Sequence, residues 1–292
     1  MSVELYSILS GFFYASSNVL VKVGLTKDKK SNATSAAFLT MLANFVFMWI
    51  VYLLSSPPSI LIEALLVFCL SGVIAQCFAR TLNYVGIDKL GVSLCAPITS
   101  TTPLFQVITA TFLLQEAVSP QIGIGLMLVV IGIFVLSRRS THQARTVGWS
   151  KWDILFPVGT AFLRGLSSNL RKIGLTLFNS PVSGATSGIS AALSFYVPYL
   201  IVSGKIRNIS VNRSSLWFIL AGLCTSMAWL FNFNGLGIGK VSVVGPLIGG
   251  SSPLMAILLT SVFLKEHEKI TSTTIIGAIV VVFGALIISV FK

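Results

Sequence analysis

The chain has 292 residues, 54% hydrophobic and only 10% charged, with a mean hydropathy of +0.91. Soluble domains carry about 25% charged residues, so a fully water-covered surface is excluded and lipid must be part of the solvent. The formal net charge of +12 does not signal nucleic acid: the basic residues are scattered among short connections between apolar runs, as topology determinants are, and no basic stretch interleaved with aromatics makes a soluble module.

A helix needs about 20 mostly apolar residues to cross a bilayer, and ten such runs follow one another. The first, 4–25, holds Asn18 and Lys22. No basic leader or small-residue cleavage site marks it for removal, so it is expected to stay in the mature protein. The second is 34–55. The third, 60–80, holds Gln76 and Arg80; since Thr-Leu-Asn83-Tyr84-Val-Gly-Ile follows, the helix is expected to run on to Ile87 and place Arg80 about two turns inside it. The fourth, 91–114, contains Pro97, Thr99, Ser100 and Pro103 and is followed by Glu116. The fifth is 120–137, and the polar connector 138–151 separates the two halves. The sixth, 152–175, holds Arg164, Asn169, Arg171 and Lys172; the seventh is 183–203; the eighth, 214–235, holds Trp229, Asn232 and Asn234. The ninth, 241–264, contains Pro246, Gly249, Gly250, Ser251 and Pro253, and the tenth is 270–291. Helices are required because lipid cannot satisfy backbone polar groups, and barrel-type alternation is absent. An all-α integral membrane protein follows.

The halves repeat. Lys22-Val-Gly-Leu25 answers Lys172-Ile-Gly-Leu175, Phe68 and Gly72 answer Phe218 and Gly222, and Glu116 answers Glu266, each 150 positions on. Val92-Ser93 and Pro97 answer Val241-Ser242 and Pro246 at 149, and Gly125 and Gly132 answer Gly277 and Gly284 at 152. Drifting offsets mark small insertions within an internal duplication. Each copy, 1–137 and 152–292, has an odd number of spans, so the second enters the membrane from the opposite side. Inverted repeats of this kind build many secondary transporters, with the solute site between them near the midplane.

The segments 79–116 and 229–266, each a helix, a short turn and a Pro-containing helix ending in an acid, together with 125–137 and 277–289, resemble the drug/metabolite transporter superfamily and its EamA-type ten-helix members. The resemblance covers essentially the whole chain. It implies a central cavity lined mainly by spans one, three, four, six, eight and nine, alternating access without ATP, and a bacterial or archaeal cell (inner) membrane. It leaves the solute open.

Ionisable groups inside apolar spans are costly and usually face a cavity. Arg164, near the middle of span six, is the first candidate, followed by Arg80. Lys22, Arg171 and Lys172 sit nearer span ends, where snorkelling to the interface is the default. The eight acids all fall at span ends or in loops, so a carboxylate proton relay is not indicated. A cavity with cations and no anions should take an anionic or zwitterionic solute, and arginine's planar fork suits oxyanions. Asn18, Gln76, Asn83, Tyr84, Asn169, Trp229, Asn232, Asn234, Thr99, Ser100 and Ser251 are the neutral candidates for contacting it, although interhelical hydrogen bonds would also explain them. Pro97, Pro103, Pro246, Gly249, Gly250 and Pro253 are read as kink or gating positions, since proline removes a backbone donor and bends a helix.

The cysteines form no CxxC or Cys/His cluster, so neither metal nor disulfide is expected. No GxSxG, HExxH or P-loop sequence occurs, and neither enzymatic activity nor a cofactor is expected. The expected partners are a small solute and membrane lipids, with no nucleic acid, the protein acting as a monomer or homodimer. An exporter of amphiphilic drugs and a flippase for lipid-linked intermediates remain alternatives. Thirteen Lys and Arg residues follow odd-numbered spans and four follow even-numbered ones. The positive-inside rule then puts both termini outside, opposite to the family's usual arrangement.

Overall fold

A computed structural model describes residues 1–27, 32–90, 98, 99, 101–137, 151–263 and 272–291. Its helices are α1 (Val3–Lys27), α2 (Ala33–Ser55), α3 (Ile62–Val73), α4 (Arg80–Leu90), α5 (Thr102–Leu113), α6 (Pro120–Ser137), α7 (Leu155–Leu177), α8 (Pro181–Val202), α9 (Ser215–Ile238), α10 (Val241–Phe263) and α11 (Ser272–Val290). A π-helical turn, Ile74–Ala79, joins α3 to α4 in one continuous rod, so the third span does continue past Arg80. Val3–Leu25, Thr34–Ser55, Ile62–Asn83, Pro181–Val202 and Ser215–Ile238 are each long and apolar enough alone to cross a bilayer. Leu54, Leu66, Phe112, Phe195 and Phe283 stand exposed, an outward apolar belt that lipid, not water, can cover.

The helix pairs obey one exchange rule. α1 packs on α9, and its repeat mate α7 packs on the α3–α4 rod; α1 also packs on α10 as α7 does on α5. α2 packs on α9 as α8 does on α3, while α6 with α11, α5 with α10 and α2 with α8 are pairs that map onto themselves. Exchanging the five-span copies therefore maps the principal helix pairs onto one another, as an approximate two-fold axis requires. With an odd number of spans per copy, that axis lies in the membrane plane and the repeats are inverted.

Small residues set the close crossings, since between lipid-embedded helices shape complementarity replaces the hydrophobic drive. A side-chain carbon at Gly125 would strike the carbonyl of Gly284, and one at Gly132 the carbonyl of Gly277, the same contact seen from either copy. Gly24 lies under the Phe218 ring and Gly174 under the Phe68 ring, again a symmetric pair.

The hydrogen bonds locate one of the insertions. Ser167 Oγ donates to the Ser71 carbonyl at 2.8 Å. Its mate Ser17 reaches the equivalent Ala221 carbonyl through Thr225, whose hydroxyl is 2.8 Å from each. Here the copies differ by 150 positions. About two turns away, Ser10 Oγ donates to the Ala228 carbonyl at 2.9 Å and Thr160 Oγ1 to the Ala79 carbonyl at 3.3 Å. Ala79 and Ala228 are 149 apart, as are Asn83 with Asn232 and Gly86 with Gly235. The first copy thus has one more residue between Gly72 and Ala79, and the π turn lies there. A single inserted residue that must not disturb the register beyond it is absorbed as a π bulge; α9, lacking the residue, stays α-helical.

The prolines of the fourth and ninth spans sit in different helical settings. Pro103 sits in the first turn of α5, where a missing N–H costs nothing, so it starts a helix and does not bend one. α10 runs unbroken through positions 246 and 253. Pro97 and Ser100 lie outside the described residues, as do the side chains of Lys22, Tyr84 and Pro253.

Candidate functional site: a cavity with three arginines

Between the two copies lies one cavity of about 620 Å³. Each wall presents a stripe at helical spacing: Tyr14, Ser17, Asn18 and Val21 from α1; Thr99, Thr102, Pro103 and Gln106 at and before α5; Arg164, Ser168 and Arg171 from α7; Thr225, Trp229 and Asn232 from α9; Gly245, Ile248, Gly249 and Ser252 from α10. Steps of three, four and seven residues keep side chains on one helix face. The π turn and α4 add Gln76, Arg80 and Asn83, and α2 adds Ala36, Ala37 and Thr40. The second span was not expected at the cavity; its small residues there give no sequence signal of a site.

Arg171 is the most enclosed cation. It is 6% exposed, its Nη1 donates to Asn232 Oδ1 at 3.3 Å and its Nη2 to Ser167 Oγ at 3.3 Å. Its guanidinium lies 4.6 Å from the Trp229 ring centroid and 5.5 Å from that of Phe233. None of these partners is a carboxylate, and Arg171 Nε is buried with no hydrogen-bond partner. The cation–π contacts and neutral acceptors hold the charge without neutralising it. Arg80 donates to the Gln76 amide oxygen. Arg164, exposed on the cavity wall, completes the set. No Asp or Glu is among the described lining residues.

Of the candidates read from sequence, the cavity gathers Arg164, Arg80, Asn18, Gln76, Asn83, Trp229, Asn232, Thr99, Pro103 and Gly249. Six others lie off it. Asn169 donates to the Gln106 carbonyl and to Thr109, joining α7 to α5. Asn234 donates to the Leu230 carbonyl of its own helix. Ser251 donates to the Ile248 carbonyl and packs against Gly11. Pro246 is buried and Gly250 faces Val281 of α11.

The sixth, Lys172, does not reach the cavity because it lies about 100° round the helix from Arg171. Its Nζ donates to the carbonyls of Leu236 and Gly239 at 2.7 and 2.9 Å, closing the C-terminal end of α9. Beside it Glu116 accepts the backbone N–H groups of Val241 and Ser242 at 2.8 and 3.0 Å, closing the N-terminal end of α10. A cation at a helix C-terminus and an anion at an N-terminus both complement the dipole. Glu116→Ala strands two amides, and the expected loss is about 1–3 kcal/mol, read as a lower melting temperature in detergent with Glu116→Gln intermediate.

Sequence reasoning ranked Arg171 with the snorkelling residues and passed over Tyr14, Ser17, Gln106, Ser168 and Thr225. The signal for Arg171 was its seven-residue spacing from Arg164.

Inverted five-span repeats enclosing a polar, solute-sized cavity define a multi-pass α-helical membrane transporter. The sequence profile of the EamA-like transporter family matches residues 1–138 and 151–290. The chain belongs to that family, and through it to the drug/metabolite transporter superfamily. No curated protein sequence matches it. A crystal structure of another protein, 14% identical, superposes with a TM-score of 0.78 over 99% of this chain and 96% of that one, a likeness of fold.

Proposed function

We propose that the cavity carries a small anionic or zwitterionic organic metabolite by alternating access, the protein working as a secondary active exporter or exchanger. The observation that carries this reading is three arginines on a cavity with no carboxylate among its described lining residues. Moving a guanidinium from water to a low-dielectric interior is costly unless it is paired, and among the described residues Arg171 has no anionic partner. A carboxylate or phosphate oxygen pair matches the arginine fork. A zwitterion could rest its ammonium near the amide oxygen of Asn18. Amphiphilic cations find no counter-charge among the described lining residues, which sets the drug-export alternative behind.

Alternating access follows from the exchange symmetry: contacts that close the cavity on one face have counterparts that can close it on the other. On the family resemblance, we place the protein in a bacterial or archaeal cell membrane.

The test is flux through liposomes containing the purified protein, supplied with radiolabelled carboxylates and phosphate monoesters. Arg164→Ala and Arg80→Ala are each expected to lower anion flux about tenfold or more. Flux unchanged in both variants overturns the reading.

A further inference from the structure

The two-fold that relates the repeats does not relate the charges. α1 and α7 match without a gap, anchored by Ser10 with Thr160 at one end and Gly24 with Gly174 at the other. In that register Tyr14 is the mate of Arg164, and Val21 the mate of Arg171. Beyond the π turn, Ala79 with Ala228 and Asn83 with Asn232 make Trp229 the mate of Arg80. Each cavity arginine therefore faces, across the axis, an uncharged aromatic or aliphatic side chain.

These positions fall on two walls. α7 and the α3–α4 rod pack together and carry all three arginines. α1 and α9 pack together and carry Tyr14, Val21 and Trp229. α2, which packs on α9, adds Ala36 and Ala37 to the uncharged side. Arg171 leans across the seam onto Trp229.

From this division we infer that the solute is single-headed: one carboxylate- or phosphate-type oxyanion held by Arg80, Arg164 and Arg171, with an apolar aromatic or branched aliphatic body lying against Tyr14, Val21 and Ala37. This rests on the anion-transport reading and narrows it. A second anionic end would be set against a side with no cation among its described side chains, only the hydroxyls and amides of Ser17, Asn18, Thr40, Thr225 and Asn232, and burying a charge without a counter-charge is heavily disfavoured. A volume of about 620 Å³ holds a head group and a phenyl-sized body.

The experiment is calorimetric titration of the purified full-length protein with three probes: 4-phenylbutyrate, succinate and 4-phenylbutyramide. Phenylbutyrate is expected to bind at least about tenfold tighter than either other probe. Succinate binding as tightly as phenylbutyrate overturns the single-headed inference and leaves the anion reading standing. The neutral amide binding as tightly as the acid, or none of the three binding, overturns the anion reading itself. Val21→Arg, which restores the mate of Arg171, is expected to shift preference towards succinate by about tenfold. An unchanged preference in folded Val21→Arg protein overturns the placement of the apolar body. If that variant does not fold, the wild-type series alone decides.

Discussion

Replacing Arg171 by methionine is expected to abolish most anion flux while leaving the protein as stable as before, or more so. The two effects have opposite signs because the residue does two opposed things. For transport, Arg171 lines the cavity and brings a guanidinium charge to a solute that must leave water. Losing a buried charge contact of this kind costs about 2–5 kcal/mol, or roughly 30- to 5,000-fold in rate. For folding, the same guanidinium is a cation 6% exposed with no carboxylate partner among the described residues, held by neutral acceptors at 3.3 Å and two aromatic rings. Exchanging a buried charge for an apolar side chain of similar volume is often neutral or stabilising by about 1–4 kcal/mol. Arg171→Lys keeps the charge and loses the fork, and its flux should fall between the two. Flux and melting temperature measured on one preparation decide it. A methionine variant that melts much lower shows that Arg171 is a structural strut instead.

The second large effect separates two single-residue deletions at equivalent places. Deleting Thr225 from α9 should prevent folding, whereas deleting Ala75 from the π turn should be tolerated. α9 is α-helical throughout, so losing a residue turns everything beyond by about 100°. Phe233 and Leu236, both fully buried, would rotate out of the core together with Trp229 and Asn232. At about 2–5 kcal/mol for each large apolar side chain removed, the loss overtakes a total stability of about 5–15 kcal/mol. At Ala75 the π turn already holds one residue more than the equivalent segment. Its removal lets the rod close into a regular helix, with Ala79 still accepting from Thr160 and Asn83 still on the cavity. The yield of monodisperse protein by size exclusion reads the contrast directly. Failure of both deletions would show that the π turn is not the footprint of an insertion.

Much of this molecule is written in its sequence, and the parts that are not have definite causes. Ten apolar runs and their duplication follow from composition and spacing, because a bilayer fixes helix length and permits little else. The change of offset from 150 to 149 is also visible in the letters, but a loop would absorb one residue as readily as a helix, and only the backbone tells which. Arg164 and Arg80 stood out because charge is rare inside a span. Arg171 did not, since it lies near a span's end beside Lys172; the one points into the cavity and the other at the end of α9, a distinction of helical phase that counting towards the interface ignores. Asn169, Asn234 and Ser251 satisfy neighbouring carbonyls and hydroxyls, the ordinary fate of polar groups among packed helices.

The unequal division of charge also bears on ancestry. Two identical five-span chains meeting on a two-fold would bring every side chain to the axis twice. A homodimeric forerunner with arginines at the positions of Arg80, Arg164 and Arg171 would have carried six guanidiniums in one chamber, and without them it would have had none. Neither chamber matches the present one. The present site therefore arose after the two copies ceased to be identical, when Tyr14, Val21 and Trp229 could differ from their counterparts.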